Sequence, residues 1–81
     1  MKVEVFLFAS LRDLAETDRI TVELVENASV NDLLCSISSQ HPVLKDRVPL
    51  ARVAIDDRFS AGDDPIPPGS ELALIPPVSG G

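Results

Sequence analysis

The spacing of apolar residues changes at Ser29, and this change limits the folds available to the chain. From Val30 onward, apolar side chains recur at intervals of three and four residues, as on a helix that packs one face against a core. Ser29 and Asp32 have the spacing of a capping box, which predicts that the helix begins there. Pro42 disfavours helical conformation in the residue before it, which predicts an end near Gln40. One main amphipathic helix is therefore expected in the middle of the chain.

Period-two alternation of apolar and polar side chains predicts strands on both sides of this helix. Asp56-Asp57 indicates a turn, and Pro68-Gly69 suits a type II turn within a segment that holds too many prolines for a central strand. The predicted strands cover residues 2–9, 19–25, 50–56 and 71–75, with one or two helical turns possible in 10–18, an irregular loop over 43–48 and an ordered loop over 61–70.

The order strand, strand, helix, strand, strand predicts the fold class. A sheet with one apolar face requires another layer to bury it, and the single helix is the element available. We therefore predict an α+β chain with the β-grasp fold of ubiquitin, in which a mixed sheet is covered on one face by one main helix. The domain is expected to span residues 1–75, and residues 76–81 are expected to form a flexible tail that ends in Gly-Gly.

The composition is that of one small globular domain with an excess of acid. Thirteen acidic and seven basic side chains give a net charge of −6, which repels phosphate backbones, so nucleic acid is not expected as a partner. The acidity favours either solubility or attraction to a basic protein surface. No apolar run approaches the ~20 residues that span a bilayer, and the first ten residues alternate with charge where a signal peptide would have one continuous apolar segment. We therefore expect a cytoplasmic protein with no membrane partner.

The sequence offers little to a catalytic or metal site. Its four glycines match no phosphate-binding loop, so any ATP is expected to be bound by a partner and no cofactor by this chain. His41 precedes a proline at the predicted helix end and is interpreted as structural. Cys35 lies about 140° from Val30 on a helical wheel, away from the apolar stripe, and no cation is near it in sequence. No metal site is expected.

The chain end is the remaining candidate for chemistry. A terminal carboxylate on Gly81 is ionised at neutral pH and can attack the α-phosphate of ATP to form an acyl adenylate. Without a Cβ on Gly80 or Gly81, this backbone can enter a narrow channel, and Pro76 and Pro77 stiffen its base. From Pro76 the tail reaches at most about 20 Å. The alternative interpretation is a frayed terminus without a role.

The ending IPPVSGG and the segment FASLRDL, residues 8–14, together resemble the MoaD family of ubiquitin-like sulfur carriers, the small subunits of molybdopterin synthase. The resemblance covers the whole chain. It implies that a ubiquitin-activating-like adenylyltransferase activates Gly81, that the product is a thiocarboxylate, and that the tail then enters the large synthase subunit. There the sulfur converts cyclic pyranopterin monophosphate to molybdopterin. A heterotetramer is implied, and two carriers are used per product.

The resemblance also implies partner contacts around the root of the tail. Phe6 or Phe8, with Ile75 and Val78, would form an exposed apolar patch there, although a second minor core is the alternative for Phe8 and Ile75. The position of Ile75 is often aromatic in the family, which implies a weaker contact here. The expected partner-binding residues are Phe8, Arg12, Ile75, Pro76, Pro77, Val78 and Ser79, and the reacting residues are Gly81 and Gly80.

Three other functions remain open from the sequence. A sulfur carrier of the thiazole pathway shares the fold and the Gly-Gly end, but it is usually shorter and lacks both the P-P-V segment and the F-A-x-L-R pattern. A protein modifier of the ubiquitin type would instead be conjugated to lysines through Gly81. The third alternative is an interaction module whose tail is inert.

Overall fold

The strands and helices follow the predicted change in apolar spacing. The structure is a computed structural model that describes residues 1–77. Its strands are β1 (Lys2–Leu7), β2 (Arg19–Glu23), β3 (Arg52–Ile55), β4 (Arg58–Phe59) and β5 (Leu72–Ile75), and its α-helices are α1 (Ala9–Ala15) and α2 (Val30–Gln40). The helical turns suggested for 10–18 are thus α1, and each of the four predicted strands is present with shorter bounds.

The strands form one mixed sheet in the order β2-β1-β5-β3-β4. β1 pairs antiparallel with β2 and parallel with β5, so the first and last strands lie side by side at the centre. β3 pairs antiparallel with β5 on its other side. This arrangement confirms the predicted β-grasp fold. Because β1 and β5 are parallel, their last residues lie at the same end of the sheet.

One face of the sheet holds the core. Val5 and Leu7 of β1 and Leu72 and Leu74 of β5 point to this face, as the period-two pattern requires. They share one cluster with buried side chains of both helices, so α1 and α2 lie on the same side. The buried helical residues are Leu11, Val30, Leu33 and Ile37. On the opposite face, here called the uncovered face, no helix of residues 1–77 packs against the sheet.

The start of α2 has the predicted capping box. The Ser29 hydroxyl accepts a hydrogen bond from the Asp32 amide at 3.2 Å, and the Ser29 amide donates to the Asp32 carboxylate at 2.9 Å. Two amide groups that the helix itself leaves without acceptors are thereby satisfied. The helix that covers the sheet therefore has a fixed first residue.

The prediction of an irregular loop over residues 43–48 is wrong in detail. Two 3₁₀ turns, Pro42–Leu44 and Val48–Leu50, occupy this region, each with a proline among its first two residues. Leu44 and Val48 are buried in the core. Turns of three residues are too short to show a periodic pattern, which is why the sequence did not reveal them. Leu50, predicted to begin a strand, instead ends the second turn and is 64% exposed.

Both predicted turns have the backbone that their residues favour. Asp56 and Asp57 have φ values of 50° and 69° and join β3 to β4, as in a two-residue type I′ hairpin. Gly69 has a φ of 80°, and the Ser70 amide donates to the Pro67 carbonyl at 3.2 Å. Positive φ at this position is the requirement of a type II turn.

The residues at the end of α2 close the outer edge of β2. The Gln40 side chain accepts from the Glu23 amide at 2.8 Å and donates to the Glu23 carbonyl at 2.9 Å. His41 Nε2 lies 2.9 Å from the Thr21 carbonyl oxygen, which gives His41 the structural role predicted for it. These are the backbone groups that an additional strand would need, so the edge is blocked by side chains.

Replacing Gln40 with alanine is expected to open this edge. The Glu23 amide loses its acceptor, so its hydrogen exchange should accelerate, and the protein should lose about 1 kcal/mol of stability. Amide exchange followed by NMR measures the first effect, and chemical denaturation measures the second. The neighbouring change Ser39→Ala is the control and should alter neither. Unchanged exchange at Glu23 in the Gln40→Ala variant would contradict the role assigned to this side chain.

Candidate functional site

The uncovered face of the sheet has one charged half and one apolar half. On the β2 side, Lys2 pairs with Glu23 at 3.8 Å and Arg19 pairs with Glu4 at 4.0 Å. On the β5 side, the residues of this face are Ala54, Phe59, Ala73 and Ile75, with Arg52 as the one charged side chain among the paired positions that the structure describes there. Acidic and basic groups thus satisfy one another on one half, while the other half presents mainly apolar carbon to its surroundings.

The apolar half contains a cleft of about 170 Å³. Its apolar lining, here called the apolar cleft, consists of Phe8, Ala54, Phe59, Ala73 and Ile75, and the carboxylates of Asp57 and Glu71 lie at its rim. Phe8 is 47% exposed and Phe59 is 55% exposed, whereas Ala54 at the floor is buried. Two exposed aromatic rings beside a buried floor form the kind of surface that a protein partner covers.

Phe8 reaches the cleft because β1 continues extended for one residue beyond its last paired position. With φ −128° and ψ 152°, Phe8 keeps the alternation of the strand while serving as the N-cap residue of α1. Ala9 then has a φ of 50°, and the chain turns away into the helix. The ring therefore stays on the uncovered face, where it lines the same cleft as Ile75.

Phe59 belongs to the cleft and was not among the predicted partner-binding residues. It lies on the two-residue strand β4, opposite Ala54 in the register, and the tight turn before it fixes this pairing. The Arg52 guanidinium lies 4.0 Å from the centroid of its ring, a cation–π contact. The two-residue turn at Asp56-Asp57 was the sequence signal that could have placed Phe59 on this face.

Phe6 occupies a different part of the face. It lies opposite Arg19 of β2, whose guanidinium is 6.0 Å from the Phe6 ring centroid, and it lines a separate cleft near Gly69 and Ser70. Of the two phenylalanines considered from the sequence, Phe8 is the one that lies with Ile75.

The tail begins after Ile75, at the end of the sheet where the central strand β5 stops. Pro76 and Pro77 line a narrow cleft of about 80 Å³ with Ser10 of α1, with Leu50 of the second 3₁₀ turn and with Arg47, the residue before that turn. The predicted functional residues Val78, Ser79, Gly80 and Gly81 lie outside the described residues. The apolar cleft and the root of the tail are adjacent, because Ile75 lines the first and Pro76 lines the second.

Arg12 and Cys35, also considered from the sequence, line neither the apolar cleft nor the cleft at the tail root. Arg12 is exposed on α1, and its predicted partner contact stays a prediction. Cys35 is exposed on α2, as its position off the apolar stripe predicted. Within residues 1–77, no three His, Cys, Asp or Glu side chains are grouped to hold a metal ion, and no helix has the length and apolar content needed to cross a membrane.

Comparisons with known proteins cover nearly the whole chain. A sequence profile of the ThiS family matches residues 5–81. The molybdopterin synthase sulfur carrier subunit of Chlamydomonas reinhardtii is 34% identical over 83 residues, with 100% of each chain covered. The crystal structure of the small archaeal modifier protein SAMP1 from Haloferax volcanii is 32% identical with a TM-score of 0.85, and 100% of each chain is covered.

A second solved structure supports the same assignment. The putative molybdopterin converting factor subunit 1 from Pyrococcus furiosus is 32% identical with a TM-score of 0.80, over 95% of this chain and 98% of that one. Fold, length and sequence therefore agree, and the predicted resemblance to the sulfur carriers of molybdopterin synthase is confirmed. The chain belongs to the ThiS family.

Proposed function

We propose that this chain is the sulfur carrier subunit of a molybdopterin synthase. The observation that supports this most is the full-length similarity to the Chlamydomonas carrier, combined with an exposed apolar cleft beside the root of the tail. The role of the domain is to dock on a partner and direct the tail into that partner's active site. The chain itself is a carrier and does not catalyse the transfer.

The proposed chemistry takes place at the carboxylate of Gly81. In a ubiquitin-activating-like adenylyltransferase, this carboxylate attacks the α-phosphate of ATP, pyrophosphate leaves, and an acyl adenylate forms. Hydrogen sulfide or an equivalent sulfur nucleophile then attacks the acyl carbon and expels AMP, which leaves a thiocarboxylate. ATP is bound by the partner, and the carrier binds no cofactor of its own. We place these reactions in the cytoplasm.

The second stage requires the large subunit of molybdopterin synthase. The apolar cleft docks on that subunit, with Phe8 and Ile75 as predicted contacts and Phe59 beside them. Pro76 and Pro77 limit the freedom that the tail loses on insertion, and Gly80 and Gly81 let it pass where a side chain would collide. Two carriers deliver two sulfur atoms to each cyclic pyranopterin monophosphate, which suits a heterotetramer with two copies of each subunit.

Reconstitution tests this function directly. Thiocarboxylated protein, mixed with the large subunit and cyclic pyranopterin monophosphate, is expected to yield molybdopterin at a ratio of two carriers per product. The carboxylate form of the same protein is the control and should yield none. Absence of product with a competent large subunit would contradict the proposal and would favour the thiazole-pathway carrier, whose product is assayed with the same thiocarboxylated protein.

The similarity to SAMP1 favours one second candidate, a protein modifier. In that function the activated Gly81 carbonyl is attacked by a lysine ε-amine of another protein, AMP leaves, and an isopeptide bond forms. Mass spectrometry of cell extracts that express a tagged chain would distinguish the two. Isopeptide-linked Gly-Gly remnants on lysines support the modifier, whereas a thiocarboxylated chain without such conjugates supports the carrier.

A further inference from the structure

Two arginines flank the point at which the tail leaves the domain. Arg47 lines the narrow cleft together with Pro76 and Pro77, on the side of the second 3₁₀ turn. Arg52 lies directly opposite Ile75 in the register, on the uncovered face of the sheet. Arg47 and Arg52, here called the arginine pair, are both exposed; Arg47 lies against Pro76 and Pro77, and Arg52 lies one strand away from the end of β5 with its guanidinium over Phe59.

The arginine pair places two positive charges beside the tail root of an acidic protein, and within residues 1–77 it shares the lack of an ion pair with Arg12, Lys45 and Arg58. The chain carries a net charge of −6, and the Lys and Arg side chains that form ion pairs within residues 1–77 are Lys2 and Arg19, both on the β2 side of the sheet. Arg47 and Arg52 therefore have no carboxylate partner among the described residues. The Arg52 guanidinium lies 4.0 Å from the Phe59 ring centroid, a contact that leaves its N–H groups able to donate to an acceptor.

A partner that takes in the tail has to close around this root. The six residues from Pro76 to Gly81 span at most about 20 Å, so a buried active site lies close to the mouth of the channel through which the tail enters. The surface at that mouth must then meet the domain on both sides of Pro76. Guanidinium groups removed from water at such a contact are costly unless they receive hydrogen-bond acceptors of opposite charge.

We propose that the arginine pair binds carboxylate groups of the large synthase subunit, at the mouth of the channel through which the tail enters that subunit. This inference rests on the proposed function, because it requires a partner that takes in the tail. A guanidinium forms two parallel hydrogen bonds with one carboxylate, which orients the domain as well as attracting it. The apolar cleft supplies contact area, and the arginine pair sets the direction in which the tail enters.

For the replacement of an arginine with glutamate, the proposal predicts a change in binding affinity opposite in sign to the change that net charge alone would cause. If attraction to a basic partner dominated, replacing an arginine with glutamate would make the protein more acidic and would strengthen binding. If Arg47 faces a carboxylate, the same change places two like charges together and weakens binding. Lys45, two residues away and in the groove between α2 and the 3₁₀ turns, provides the same change of charge on another surface.

The experiment measures the affinity of the full-length chain for the large subunit of molybdopterin synthase by titration calorimetry. Arg47→Glu is expected to weaken binding at least tenfold, and Arg47→Gln less than that. Lys45→Glu should leave binding unchanged or make it slightly tighter. Circular dichroism checks that each variant is folded, and the Gln variant keeps the test informative should the Glu variant unfold.

Two outcomes would overturn the inference, and they have different meanings. Equal effects of Arg47→Glu and Lys45→Glu, with wild-type binding intact, would show that only net charge matters and would leave the proposed function standing. Failure of the wild-type chain to bind the large subunit at all would overturn the proposed function and this inference with it.

Discussion

A chain that ends at Gly80 is expected to lose sulfur transfer while it keeps its fold. Among residues 1–77 the buried core is built from residues between Val5 and Leu74, so we expect the fold to be independent of the last residue. Removing one residue withdraws the reacting carbonyl by about 3.5 Å from its attacker, and a misplacement of 1 Å can already cost about 10²-fold in rate. Mass spectrometry of the thiocarboxylate and an assay of molybdopterin measure the loss, which we expect to exceed 10³-fold.

The deletion also separates the proposed function from the interaction module with an inert tail. An inert tail predicts that the shortened chain behaves like the wild type in every assay. A matched surface change far from the tail, Val25→Ser at a side chain that is 70% exposed, should leave both transfer and stability unchanged. Full transfer by the shortened chain would exclude the Gly81 carboxylate as the reactive group.

The parts of the fold that could be predicted from the sequence depend on contacts between close neighbours in the chain. The Ser29–Asp32 capping box and the spacing of Leu33 and Ile37 fix α2 by short-range geometry, and a period of two fixes the faces of β1 and β5. From these the sheet and its covering helix follow, since an apolar face requires a layer against it. The grouping of Phe6 or Phe8 with Ile75 was implied by the family resemblance, and the structure places Phe8 there.

The rest depends on contacts that are distant in the chain. Phe59 enters the cleft because β4 pairs with β3, which in turn pairs with β5, and none of these pairings has a local signal beyond the turn at Asp56-Asp57. Arg47 reaches the tail root through a 3₁₀ turn that has no periodic pattern. The reactive end of the tail was inferred from the chemistry of its glycines, and it lies outside the described residues.

Replacing Phe8 with alanine is expected to weaken binding to the large subunit by about 10- to 100-fold. Aromatic side chains at the centre of an apolar contact dominate the energy of protein interfaces, and a loss of 1.4 kcal/mol corresponds to a factor of ten. Because the Phe8 side chain is 47% exposed in the free protein, the free energy of unfolding should fall by only about 1 kcal/mol. Titration calorimetry and chemical denaturation measure the two quantities.

The two measurements together decide between docking and a minor core at Phe8. A docking residue loses affinity with little loss of stability, whereas a core residue loses about 3–5 kcal/mol of stability and affects binding only through unfolding. Val43→Ala, at an apolar side chain that is 55% exposed in the first 3₁₀ turn, provides the control and should change neither quantity by much. Unchanged affinity in a folded Phe8→Ala variant would mean that the large subunit docks elsewhere. The tail would then be aimed by contacts at its own root, and the arginine pair would become the principal determinant of its direction.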